Sequence, residues 1–106
     1  MREFAAAGWQ SDERFAAALV ESKTERGYGP LLIIAELKQR GIDAQIIAGL
    51  IRTGDPCWEE HMLQARARHF GTRLPVDRKE RARQARYLVN RGFIPERVRR
   101  TLDIDD

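Results

Sequence analysis

Apolar residues recur at intervals of three and four along most of the chain, which is the spacing of amphipathic helices. No segment alternates apolar and polar residues for long enough to indicate a strand. Prolines stand where several segments start, and glycines follow where they end, as at helix N-termini and C-termini. The pattern therefore predicts an all-α chain with six helices, at 12–26, 30–40, 44–52, 56–69, 78–91 and 95–102.

Each predicted helix has an apolar side that we expect to face a core. Asp43 is the expected N-cap of the third helix, and Asp77 with Glu80 has the spacing of a capping box at the start of the fifth. The expected inward residues are Phe15, Ala16, Leu19, Val20, Ile33, Ile34, Leu37, Ile46, Ile47, Leu50, Ile51, Trp58, Met62, Ala65, Phe70, Ala85, Leu88, Val89 and Val98.

A short motif, Leu-x-x-Arg-Gly-apolar, occurs at Leu37 and again 51 residues later at Leu88. Each copy precedes a short helix, so the six helices form two predicted three-helix repeats, at 11–53 and 54–106. Residues 1–10, with Ala7-Gly8-Trp9 as a third glycine turn, fit the remnant of a preceding repeat. Tandem repeats predict an elongated, slightly curved shape. The alternative is that two helix ends merely resemble each other.

Charge is distributed unevenly along the 106 residues, although the net value is only +3. Residues 1–65 hold seven Lys or Arg against ten Asp or Glu, whereas residues 66–100 hold twelve against three. A basic stretch of this kind attracts polyanions or an acidic protein surface. The alternative is a solvated helix face that binds nothing.

Arginine binds carboxylate or phosphate through two parallel hydrogen bonds, so the basic stretch is the candidate partner-binding or DNA-backbone surface. Tyr28 joins it because it lies in a tight turn between helices, where it either packs on a neighbouring helix or contacts a partner. The candidate residues are Tyr28, Arg73, Arg78, Lys79, Arg81, Arg83, Arg86, Arg97, Arg99 and Arg100.

Catalytic and metal chemistry find little support in the sequence. Cys57 is the only cysteine, which excludes an internal disulfide and favours a reducing cytosol. Cys57, His61 and His69 do not complete a zinc ligand set, and Cys57 with His61 alone is weak evidence for a nucleophile. We expect no catalytic residue, metal or cofactor. No apolar run approaches the ~20 residues of a membrane span.

Several of these segments resemble the RecX regulatory proteins. The resemblance lies in residues 26–30 (Arg-Gly-Tyr-Gly-Pro), in Gly41-Ile42, in residues 11–16 after Gly8-Trp9, and in residues 85–93. It covers nearly the whole chain and implies tandem three-helix repeats. It also implies a non-enzymatic regulator that binds RecA filaments and restrains their growth, ATP hydrolysis and strand exchange.

The chain departs from the family pattern in two ways. Family members usually carry three repeats, so we expect this chain to be a short or truncated member. Leu32 and Ile34 stand where basic and polar residues are common, which makes the second helix unusually apolar. Three hypotheses follow: a cytoplasmic regulator of RecA, a helical module that binds DNA without RecA, and a chain that pairs with a second copy to cover the missing repeat.

Overall fold

Six helices make up the computed structural model, which describes the backbone of residues 2–103 and the side chains of residues 11–103. No strand occurs in the described backbone, so the predicted all-α class is confirmed. The helices are α1 (Arg2–Glu25), α2 (Pro30–Gln39), α3 (Ala44–Leu50), α4 (Cys57–Phe70), α5 (Arg78–Asn90) and α6 (Pro95–Thr101).

The helices pack as two consecutive three-helix units. In the first unit α1, α2 and α3 pack on one another, and in the second unit α4, α5 and α6 do the same. The molecule is elongated, with a long axis more than twice either of the others. The predicted architecture of tandem three-helix repeats is therefore confirmed, while the exact boundaries 11–53 and 54–106 stay predictions.

The repeated Leu-x-x-Arg-Gly-apolar motif forms the same helix end in both units. The Ile42 N–H donates to the Leu37 carbonyl at 3.0 Å, and the Phe93 N–H donates to the Leu88 carbonyl at 3.2 Å. These bonds close over a glycine with φ of +80° or +104°, a conformation that favours glycine. The leucine and the last apolar residue of each copy are buried. The sequence repeat is therefore a structural repeat.

The two units meet end to end through their backbones. The Gly29 N–H donates to the Arg91 carbonyl at 2.7 Å, and the Leu31 N–H donates to the Gly92 carbonyl at 2.9 Å. The N-terminus of α2 and the C-terminus of α5 thus satisfy groups that each helix would otherwise leave unpaired. We call this contact between Gly29-Leu31 and Arg91-Gly92 the backbone joint.

Most expected core residues are buried or half-buried, with two exceptions. Phe15 is 41% exposed and lies beside the Arg40 guanidinium, 5.3 Å from its ring centroid, while Val89 is 37% exposed. In addition, the structure buries two polar residues that the periodicity did not predict. Arg66 is 3% exposed and donates to the side-chain oxygen of Gln84, itself 4% exposed, at 3.1 Å.

Three local predictions about helix ends have different outcomes. Asp43 caps α3 as predicted, since its carboxylate accepts the Gln45 N–H at 2.7 Å. The predicted capping box on α5 is wrong, because Asp77 makes no side-chain cap bond and Glu80 binds the side chains of the next turn instead. α1 starts at Arg2, ten residues before its predicted start, and continues through residues 7–9 where the sequence predicts a turn. The alanines at 5–7 favour helix strongly enough to continue it across one glycine.

The origin of residues 1–10 in a preceding repeat stays a prediction, and their side chains lie outside the described part. Among residues 2–103, no helix combines the length and the apolar character needed to cross a membrane.

Candidate partner-binding surface

Three cations of the predicted set line one shallow groove along α5. Lys79, Arg83 and Arg86 follow one another by four and three residues, so the helix brings their side chains to one face. The groove has a volume of about 310 Å³, and Asp77 and Glu80 lie on it as well. We call it the cationic groove, and the two carboxylates lie near its start.

Glu80 holds part of this surface in a fixed geometry. Its carboxylate accepts two bonds from the Arg83 guanidinium, at 3.0 and 2.7 Å, and one from the Gln84 amide at 2.9 Å. The hydrogen bonds from Arg83 and then from Gln84 lower the pKa of Glu80 to about 2. Glu80 is therefore a carboxylate at neutral pH, and it offsets the charge of Arg83 within the groove.

Six predicted cations, including Lys79 and Arg86 of the groove, are exposed and unpaired among the described residues. Their side chains make no hydrogen bond or ion pair with another described residue. They leave their full charge toward solvent, which suits recognition of an acidic or phosphate-bearing partner. We call these six residues the cationic surface: Arg73, Arg78, Lys79, Arg86, Arg99 and Arg100.

Two predicted site residues hold the fold together. Arg81 is half-buried and donates to the carbonyls of Pro75 and Val76 at 3.2 and 3.1 Å, and to that of Asp103 at 3.4 Å. It fastens the loop before α5 and joins the start of α5 to the residues after α6. Arg97 is also half-buried and donates to the Gly54 carbonyl at 2.9 Å, which fixes α6 to the segment between the units. Sequence spacing did not separate these arginines from the exposed ones.

Tyr28 lies at the backbone joint, away from α5's cationic groove. Its half-buried ring has the Arg91 guanidinium 4.0 Å and the Lys23 ammonium 4.7 Å from its centroid. The Lys23 ammonium also pairs with Glu36 at 3.1 Å. Tyr28 thus contacts cations of both units. Of the two alternatives for Tyr28, packing is the one with visible contacts, and a partner contact stays a prediction.

Sequence reasoning missed the basic residues that lie between the units. Arg91 donates to the Arg26 carbonyl at 2.6 Å, and Arg68 donates to the Glu25 carbonyl at 2.6 Å. Arg91 holds the arginine position of the repeated motif, and that position was the available signal in the sequence. Its counterpart in the first unit, Arg40, binds Glu36 of α2 instead. The different neighbours of these two arginines show why one spans the units and the other does not.

The geometry around Cys57 does not favour nucleophilic chemistry. Desolvation first, and then the carboxylate of Asp55, raise the pKa of the Cys57 thiol, which opposes formation of the reactive thiolate. His61 packs edge-on against the Trp58 ring, with centroids 5.4 Å apart. Across the described side chains, no group of three His, Cys, Asp or Glu residues is placed to hold a metal ion.

The chain is similar to several proteins named Regulatory protein RecX. Residues 11–49 match the family described as "RecX, second three-helix domain". A protein named Regulatory protein RecX from Xanthomonas oryzae pv. oryzae (strain MAFF 311018) is 39% identical over 98 residues, covering 92% of this chain and 61% of that protein. Proteins of the same name from Halorhodospira halophila and Serratia proteamaculans are 39% and 38% identical over 87% and 85% of this chain. The chain spans 57% and 54% of the length of those two relatives.

Proposed function

We propose that the chain, which is a relative of the RecX regulatory proteins, binds the RecA recombinase filament and restrains its growth, ATP hydrolysis and strand exchange. The observation that carries the proposal is the 39% identity over 92% of the chain to a protein of that name. Because the chain spans 61% of that relative, RecA binding by these 106 residues is itself part of the proposal. The role is regulatory, in recombination, DNA repair and the SOS response in the cytoplasm, and it involves no catalytic step.

The cationic surface is the proposed contact. Its exposed cations suit the acidic side chains of a protein or the phosphates of DNA inside a filament. An elongated molecule made of two similar units also suits a partner that repeats along one axis, because two linked contacts gain avidity. Arg81 and Arg97 support the surface by holding the loop before α5 and the segment before α4.

The test is RecA ATP hydrolysis on single-stranded DNA, titrated with the chain and with two matched triple variants. One variant reverses the charge of Arg78, Lys79 and Arg86 in the second unit. The control reverses three exposed cations of the first unit and so changes the net charge equally. The control residues are Arg14, Lys38 and Arg52.

We expect the first variant to need at least about tenfold more protein for half-inhibition, since like charges at an interface cost several kcal/mol. We expect the control to stay within about twofold. An equal loss of inhibition in both variants would show that inhibition depends on net charge and not on the cationic surface. Absence of any inhibition by the parent chain would contradict the proposed function itself.

The second candidate is a DNA-binding module that needs no RecA. It is favoured by the six exposed cations of that surface, none of which forms an ion pair with a carboxylate among the described residues. Binding to labelled single-stranded DNA alone separates the two candidates. Tight binding supports the second candidate if its salt dependence is steep. The logarithm of the association constant should then fall, against the logarithm of the salt concentration, with a slope of about 0.7 per phosphate contact. Weak binding that RecA strengthens supports the first.

Pairing of two copies is the third candidate, and light scattering tests it. A molecular mass that doubles with rising protein concentration supports pairing, and a constant mass of 12.2 kDa contradicts it.

A further inference from the structure

A cleft between the two units shares no lining residue with the cationic groove of α5. It has a volume of about 180 Å³ and opens where the end of α1 faces α4 and α5. This is smaller than the ~300 Å³ or more of pockets that enclose a whole small ligand. It can therefore take one compact group while the rest of a ligand lies on its rim. The lining residues are Arg26, Gly27, Ala65, Arg68, His69, Tyr87 and Arg91.

Three guanidinium groups line this cleft, and two are held in place by backbone carbonyls. Arg68 donates through Nη1 to Glu25, and Arg91 donates through Nη2 to Arg26, both at 2.6 Å. A guanidinium has five N–H donors, so each keeps others for a ligand. None of the three side chains forms an ion pair with a described carboxylate. Arg26 is exposed at the mouth of the cleft. The cleft thus offers pre-oriented donors and positive charge to an oxyanion.

A stacked ring pair lies beside these arginines. The rings of His69 and Tyr87 are nearly parallel, at 12°, with centroids 4.1 Å apart. Tyr87 is half-buried, and Phe70 supports it edge-on at 5.1 Å, whereas His69 is exposed. The His69 ring is therefore an exposed flat surface supported by the ring of Tyr87. Nucleic-acid bases stack on aromatic side chains of this kind.

We propose that this cleft binds one nucleotide, with its phosphate on the guanidinium groups of Arg26, Arg68 and Arg91 and its base stacked on His69. A protein carboxylate would satisfy the arginines and leave the ring unused, whereas a nucleotide uses both features at once. The nucleotide comes either from a single-stranded nucleic acid or from a free mononucleotide. The proposal does not rest on RecA binding, and it concerns residues outside the cationic surface.

The test measures fluorescence anisotropy of a labelled ten-nucleotide oligothymidylate with the full chain and four single variants. Arg68→Ala removes a phosphate donor, and His69→Ala removes the ring. His69→Phe keeps a flat ring without the imidazole. The matched control is Arg14→Ala, which removes one exposed arginine of α1. A second strand of equal length with abasic sites separates stacking from phosphate contact.

We expect Arg68→Ala and His69→Ala to weaken oligothymidylate binding by at least about fivefold, with His69→Phe and Arg14→Ala within about twofold of the parent. On the abasic strand only Arg68→Ala should weaken binding. Equal effects of His69→Ala on both strands, or none on either, would overturn the proposal.

Nuclear magnetic resonance with the parent chain distinguishes the two sources. Shifts of the Arg68 Nε–H and His69 ring signals with adenosine monophosphate, at concentrations that also displace the oligonucleotide, support a site for a free mononucleotide. The same shifts with the oligonucleotide alone support a strand site. If an oligoglutamate peptide shifts these signals and neither nucleotide does, the cleft is a carboxylate site and the proposal is wrong.

Discussion

The backbone joint requires that Gly29 have no side chain. A Cβ atom at Gly29 would fall closest to the Gly92 carbonyl carbon and the Phe93 nitrogen, and 2.6 Å from the Gly92 oxygen. Gly29 has φ −94° and ψ 173°, an extended conformation that alanine adopts without strain. The Gly29→Ala substitution therefore tests the close approach alone, free of any conformational cost.

The size of the effect follows from the distances. Ordinary contact begins at 3.4 Å, so the two backbones must separate by about 0.8 Å or more. The bonds of 2.7 and 2.9 Å that form the joint then stretch beyond the usual hydrogen-bond range. Each bond contributes about 1 kcal/mol net, and overpacking costs about 1–3 kcal/mol, in part for the same displacement. We expect a loss of about 2–4 kcal/mol in the free energy of unfolding.

Thermal unfolding followed by circular dichroism measures this loss. For a chain of this size the loss corresponds to a fall in Tm of about 10 °C or more. Gly49→Ala is the matched control, because Gly49 lies within α3 and its added Cβ would meet no atom within 4 Å beyond the adjoining helix backbone. We expect the control to hold or gain up to about 1 kcal/mol. A Gly29→Ala variant that melts within about 2 °C of the parent would refute the account of the joint.

Three further predictions use the same unfolding measurement. Gly92→Ala should cost at least about 1 kcal/mol more in the free energy of unfolding than Gly41→Ala. Both glycines have positive φ, but only the added Cβ of Gly92 would meet Leu32, at 2.5 Å, whereas that of Gly41 meets nothing within 4 Å. Equal losses would contradict this. The pKa of Glu80 is lowered to about 2, so the stability from its ionised form is complete above about pH 4.5 and is lost as the pH falls toward 2; Glu80→Gln should flatten this part of the pH profile, and an unchanged slope would count against it. Trp58→Phe should cost about 1 kcal/mol or more, because the indole N–H donates to a backbone carbonyl at 3.1 Å, and no loss would show that bond to be unimportant.

Helix positions were predictable because their signals are local. α2 and α6 begin at the predicted Pro30 and Pro95, and α5 begins at the predicted Arg78. Proline has no N–H to lose at the first helical position, so its place identifies the start directly. The motif shared by Leu37 and Leu88 likewise predicted the duplication, because the same helix end requires the same residues.

Contacts between distant residues were not predictable. Gly29 and Gly92 meet across the two units, and periodicity contains no information about which glycines come together. Arg66 has the spacing of a solvated residue, yet it is buried because Gln84 and the carbonyls of Thr72 and Arg73 accept its hydrogen bonds. The role of Arg81 in the candidate site was unpredictable for the same reason. Its hydrogen bonds go to carbonyls that only the folded loop brings within reach.

The hydrogen bonds of the backbone joint are made by main-chain groups, and this affects how the surface can vary. Hydrogen bonds between peptide groups do not depend on the side chains carried by neighbouring residues, provided that the two close-packed glycines remain. Substitutions on the outer faces can therefore accumulate without altering the relative orientation of the units. An acidic first half and a strongly basic second half can coexist in one fold, so selection is free to tune each half for a different neighbour.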